Sequence, residues 1–170
     1  MALTSDQRRL AATSRSAFFC DHMLIRLGRW LRAAGHDTAI AEAGVSDRQL
    51  IARAVGEGRL LVSRDRRLLE FRQARATVIV LRANSMAACA EELTARLGID
   101  WLHRPFTRCL VCNMPLVEAS LELAARVPES SRAALETVFQ CVPCDKLYWE
   151  GGHVRRMRRK LARWQAGEFD

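Results

Sequence analysis

The chain has 170 residues, 49% of them apolar and 27% charged, the balance of a folded protein with one sizeable core or two small ones. No apolar run approaches the roughly 18 residues that a membrane-crossing helix needs, which argues against a membrane protein. A net charge of +8, carried mainly by arginine, favours a polyanionic partner such as nucleic acid.

Residues 1–16, MALTSDQRRLAATSRS, are polar and lack the apolar centre of a secretory signal. They are expected to form a disordered arm that leaves room for a regulatory or fused partner. From Ala17 short apolar runs alternate with amphipathic stretches. AFFC is the first predicted strand, and HMLIRLGRWLRAAG follows with Leu24, Leu27 and Leu31 on one helical face and Gly35 as its stop. DTAI is a weak second strand. In SDRQLIARAVGEG, Ser46 and Gln49 fit a capping box, with Leu50, Ile51 and Ala54 turned inward. RLLVS is the third strand and DRRLLEF a short helix after it. TVIVL reads as a strand buried on both faces, and SMAACAEELTARLG as a helix capped by Asn84 or Ser85. This alternation predicts an α/β fold, a four-stranded parallel sheet with helices on both faces and a working site at the carboxyl ends of its strands.

Composition changes after Gly98. The predicted domain runs over 17–104, and 105–170 holds two CxxC pairs and a basic helix. Cys109-Leu-Val-Cys112 and Cys141-Val-Pro-Cys144 are separated by 28 residues. Two such turns offer four thiolates to one tetrahedral Zn²⁺, and a site filled by sulfur is structural rather than catalytic. Paired cysteines without a secretory signal also point to a reducing, cytoplasmic setting. Cys20 and Cys89 sit in apolar stretches and read as small buried side chains.

Three carboxylates stand at the predicted working rim. Asp21 ends the first strand, Asp65 ends the third, and Asp47 opens the second helix. Close carboxylates of this kind suit Mg²⁺ or Mn²⁺; equally, Asp65 and Asp47 serve as an ordinary cap and a helix-dipole partner. His22, Arg26 and Arg29, extended by Arg32, fall on the polar side of the first helix, and Arg64 and Arg66 bracket Asp65. Guanidinium groups beside a metal site suit a phosphate substrate, although a solvated helix face accounts for Arg29 and Arg32 as well. Near the C-terminus, Val154, Met157 and Leu161, with Trp164, form an inward stripe. Arg155, Arg156, Arg158, Arg159 and Lys160 cover the remainder, and Tyr148 and Trp149 just upstream can stack on bases. His153 reads as an RNA contact or a plain surface histidine.

FFCDHMLIRLGRWLRAAGHDT, SDRQL, GRLLVSRD, CLVCN and CVPCDKLYWEGGH together resemble the Mut-seven C-terminal RNase domain family over about residues 17–160. That resemblance implies a PIN-like nuclease fold joined to a zinc ribbon. It makes Asp21, Asp47 and Asp65 ligands of a catalytic Mg²⁺ or Mn²⁺ and the four paired cysteines ligands of a structural Zn²⁺. The expected activity is metal-dependent hydrolysis of RNA phosphodiester bonds. Asp37, Asn84 and Ser85 are candidates for a fourth ligand. The rival expectation is a non-catalytic zinc-ribbon RNA-binding or ribosome-associated module. Neither reading sets an oligomeric state.

Overall fold

The computed structural model describes residues 17–132 and 137–170. The arm expected over 1–16 lies outside the described residues, as do residues 133–136. Four short strands, β1 (Ala17–Cys20), β2 (Asp37–Ile40), β3 (Leu60–Ser63) and β4 (Val78–Val80), pair in the order β2-β1-β3-β4, all parallel. The first crossover, α1 (Ile25–Ala33), carries the chain from β1 outward to β2. The second, α2 (Asp47–Gly56), runs back past β1 to β3. Right-handed crossovers in opposite directions must lie on opposite faces of the sheet, and the core divides accordingly. Leu27 and Leu31 of α1 pack with Phe18, Cys20, Leu60, Val62 and Ile79 on one face. Leu50, Ile51 and Ala54 of α2 pack with Phe19, Leu61 and Val78 on the other.

Local signals set the element ends. Before α1, His22–Leu24 form a 3-10 turn, and after it the helix closes in a Schellman arrangement. Gly35 N donates to Arg32 O and His36 N to Leu31 O, both at 2.9 Å, with Gly35 at φ +96°. A side chain at Gly35 would also stand 2.2 Å from the Arg104 carbonyl oxygen, so the stop and the close approach of the following segment need the same glycine. Ser46 and Gln49 form the predicted capping box of α2, and Ser85, not Asn84, caps α3 (Met86–Leu97) by accepting from Ala88 N. The stretch after β3 is 3-10 helix over Arg66–Glu70, and a single helical turn, Ala74–Thr77, precedes β4.

A second, antiparallel sheet has the order β5-β6-β7, from β5 (Val117–Glu118), β6 (Val138–Cys141) and β7 (Lys146–Trp149). The last helix, α4 (Gly152–Gln165), turns Met157, Leu161 and Trp164 inward, while Val154 is only half-buried. This helix packs across the boundary expected at 104/105. Its three buried side chains belong to the same cluster as α1, α3 and Trp101, and the Trp164 ring lies 4.9 Å from Trp30 and 4.8 Å from Trp101. Among the described residues no helix is long and apolar enough to cross a membrane.

Candidate active site and metal centre

β1 and β3 are neighbours, yet the chain leaves β1 in one direction and arrives at β3 from the other. Their carboxyl ends therefore flank the topological switch point, where an open α/β sheet presents its crevice. Asp21 follows the last residue of β1 and Asp65 comes two residues after β3. Asp21 N still donates to Val62 O at 2.9 Å, so its backbone is fixed by the ladder.

The two aspartates are joined through a residue that the sequence reading passed over. Ser63, fully buried at the end of β3, donates from Oγ to Asp21 Oδ2 at 2.6 Å and accepts from Asp65 N at 3.0 Å. Asp65 Oδ1 in turn accepts from Arg67 N at 2.8 Å, which makes Asp65 the N-cap of the 3-10 turn as well as a rim carboxylate. Among the described residues, Asp21 Oδ1 and Asp65 Oδ2 carry no hydrogen bond. The only hint of Ser63 in the sequence is a polar residue closing the apolar run LLV.

Asp47 is the first residue of α2, which starts after the carboxyl end of β2 and so opens on the same rim. No hydrogen bond links it to Asp21 or Asp65 among the described residues. Nor do the three aspartates close to metal-cluster spacing: among the described residues only the four cysteines bring three or more donor atoms within 4.8 Å of one another. His22, Arg26 and Arg29 are exposed beside the rim and along α1, and Arg64 reaches Asn84 Oδ1 at 3.4 Å.

Two side chains depart from expectation. Arg32 does not extend the exposed basic row: it is 4% exposed and donates to Thr38 O at 2.7 Å, Leu110 O at 3.0 Å and Val111 O at 2.6 Å. Its position near the end of α1 brings it under the first CxxC turn, whose carbonyls it satisfies. Asp37 opens β2 and so lies at the opposite, amino edge of the sheet from Asp21. There it accepts from Arg59 at 2.7 Å and from Asn113 Nδ2 at 2.6 Å, which removes it as a candidate fourth ligand at the carboxyl rim. Burial favours its neutral form, yet those donors, with Arg108 nearby, hold its carboxyl below the usual range.

The cysteine cluster sits at that amino edge. Cys109 Sγ lies 3.9 Å from Cys144 Sγ and Cys112 Sγ 3.3 Å from Cys141 Sγ. Zn–S bonds of about 2.3 Å put tetrahedral sulfurs roughly 3.8 Å apart, so the four donors fit that ion. The two turns share one backbone device: the residue after each second cysteine, Asn113 (φ 74°) and Asp145 (φ 48°), is left-handed, a conformation that Asn and Asp tolerate better than most residues. Asn113 also docks the first turn on the sheet, because its Oδ1 accepts from Thr38 N at 2.9 Å on the open edge of β2. Burial raises the Cys109 thiol pKa, but the Tyr148 hydroxyl and the backbone N–H groups of Cys112 and Val111 donate to the sulfur and bring it down to about 6, which favours the ligating thiolate. Tyr148, expected to stack on bases, thus commits its hydroxyl to the sulfur cluster at 3.1 Å. His153, Arg155, Arg156, Arg158 and Arg159 are exposed on α4, and Lys160 is half-buried over the Trp164 ring.

Fold and site together define a mixed α/β protein with a parallel sheet, carboxylates at its switch point and a cysteine cluster of the zinc-ribbon kind on its far edge. The chain belongs to the Mut7-C RNAse domain family, whose model matches residues 16–161. The family's description is that of a nuclease acting on RNA. Neither the curated proteins nor the solved structures gave a match.

Proposed function

We propose that the chain is a metal-dependent ribonuclease that hydrolyses RNA phosphodiester bonds at the carboxyl rim of the parallel sheet. The observation that carries this reading is the link Asp21 Oδ2–Ser63 Oγ–Asp65 N across the switch point. It ties the Asp21 carboxylate to the Asp65 backbone across two strands and leaves one side-chain oxygen of each aspartate without a hydrogen bond among the described residues. Hard oxygen donors of this kind suit Mg²⁺ or Mn²⁺, with Asp47 at the start of α2 as the expected third ligand. Such a cation, when bound, supplies a water of lowered pKa and charge neutralisation at the phosphoryl oxygens.

The chain's own residues do the positioning. Ser63 fixes the Asp21 side chain by donating to one oxygen, and Arg67 N fixes Asp65. Arg26 and Arg64 would supply guanidinium groups to the non-bridging oxygens of the scissile phosphate. The four cysteines would hold a structural Zn²⁺ that keeps the ribbon on the amino edge, away from the chemistry.

Labelled single-stranded RNA incubated with the protein and Mn²⁺, with Mg²⁺ or with no added divalent ion tests the reading. Products are expected only with added metal. They are expected to fall by at least about a hundredfold in Asp21→Asn and in Asp65→Asn at unchanged circular dichroism. Undiminished cleavage by both variants would refute the assignment, and tight RNA binding with no metal-dependent products would favour the non-catalytic RNA-binding module.

A further inference from the structure

Between the antiparallel sheet and α4 lies a cleft of about 680 Å³ that the proposed hydrolysis does not use. Its lining includes four rings, Phe106, Phe139, Tyr148 and Trp149, and on the α4 side Arg155 and Arg158 together with the acidic Glu150. Phe139 leaves 39% of its surface to solvent from β6, on the same cleft as the Tyr148 and Trp149 rings. The arginines are anchored. Arg155 Nη1 donates to Glu150 O at 2.8 Å, Arg158 pairs with the Glu150 carboxylate at 3.2 Å, and the Arg158 guanidinium lies 5.1 Å from the Phe106 ring centre. A side-chain carbon at Gly151 would come within 3.0 Å of the Trp149 indole nitrogen, so glycine there lets the indole fold against the turn.

The cleft and the aspartates stand at opposite ends of α1. Phe106 N donates to the carbonyl of Ala33, the last residue of the helix, whereas Asp21 precedes the turn that leads into it. Nine helical residues at ~1.5 Å each separate these ends by roughly 13 Å. The exposed polar side of α1 runs between these ends. His22, Arg26 and Arg29 follow at spacings of four and three, so they form a row along the turn and helix. On one flank of that row Arg32 is turned onto the first CxxC segment, and on the other Trp30 packs on Trp164 of α4. The row therefore ends between the ribbon and α4, where the cleft is.

We propose that this cleft is a second RNA site, taking an unstacked base of a single strand, and that the cationic row on α1 carries the strand's phosphates from the cleft to the acidic rim. Aromatic rings and a guanidinium plane accept the face of any base, and a duplex offers no such face without unstacking. Phosphate contacts along the row position the strand without reading it. The proposal rests on RNA being the ligand of the proposed nuclease, and not on cleavage itself.

Binding is measured on the full-length, zinc-loaded protein with no added Mg²⁺ or Mn²⁺, using a twelve-residue oligouridine RNA, its duplex with oligoadenosine, and a uridine trinucleotide. The single strand is expected to bind at least about tenfold tighter than the duplex at equal salt. Phe139→Ala and Arg155→Ala should each weaken both single-stranded probes by about fivefold or more. Arg29→Glu should weaken the twelve-residue strand more than the trinucleotide, because the shorter probe is held mainly by the cleft. Equal affinity for duplex and single strand would overturn the proposal. So would wild-type binding by Arg155→Ala, whose exposed side chain holds no part of the core, or an equal loss of both probes in Arg29→Glu. If the affinities hold and no metal-dependent cleavage is found, the hydrolytic reading fails and this one stands. Normal cleavage with wild-type binding by both cleft variants has the reverse meaning.

Discussion

At Ser63 one hydroxyl donates to the Asp21 carboxylate and accepts from the Asp65 backbone, so its removal loosens two groups that come from different strands. Ser63→Ala is expected to lower kcat by about ten- to a hundredfold, because small losses of alignment are costly in a positioned site. KM for RNA should change little. The same substitution leaves the Asp65 N–H without its partner, a loss of about 1–3 kcal/mol if water does not replace it. A fall in KM-limited binding with kcat intact would instead make Ser63 a substrate contact. A second residue-scale prediction concerns His36, which is 2% exposed, stacked at 5.2 Å on His103 and bonded through Nε2 to Asp100 O at 2.8 Å. Burial holds its pKa below the ordinary imidazole value of 6.5; His103 and Arg108 act in the same direction, and Asp100 opposes them. Below pH 6.5 the unfolded chain takes up a proton that the folded chain refuses. Stability is therefore full above that pH and is lost as pH falls from 6.5 toward the lower folded pKa, with a limiting slope of about 1.4 kcal/mol per pH unit. Thermal unfolding of the wild type and of His36→Gln between pH 5 and 7.5 checks this. The wild-type midpoint should fall more steeply on acidification, and parallel curves would remove His36 as the cause.

Among the elements, the strands were legible because a sheet covered on both faces demands nearly continuous apolar runs, and AFFC, LLVS and VIV supply them. The helices were legible because their caps are written in the sequence as Ser46 with Gln49, Ser85 and Gly35. What was not legible is how the two sheet systems meet. Arg32 lies on a helix whose other arginines face solvent, and nothing in its spacing distinguishes it. Only the folded chain brings the carbonyls of residues 110 and 111 over it. The same holds for Asn113, whose side chain bridges Thr38 and Asp37 from 75 and 76 positions away. Arg32→Met is expected to cost about 3–5 kcal/mol, since it strands three carbonyl acceptors that a charged donor had satisfied. Urea unfolding measures the loss, and a change under 1 kcal/mol would show that water replaces the guanidinium.

For the molecule as a whole, the zinc-ribbon segment and the acidic rim sit at opposite edges of one parallel sheet, with α1 spanning the distance and α4 closing the core beside it. For the candidate site, the sequence pointed to Asp21 and Asp65 at strand ends, and the topology makes those ends neighbours linked through Ser63. Asp47 reaches the same rim by the position of α2 alone. The proposed division of labour puts chemistry at the carboxyl edge and stability at the sulfur cluster. Anomalous diffraction from crystals of the zinc-loaded protein soaked in Mn²⁺ tests this most directly. The account predicts a manganese peak about 2.1 Å from oxygens of Asp21 and Asp65, absent in Asp21→Asn, beside a separate zinc peak among Cys109, Cys112, Cys141 and Cys144. Manganese missing from the rim, with zinc alone bound at the cysteines, would contradict it.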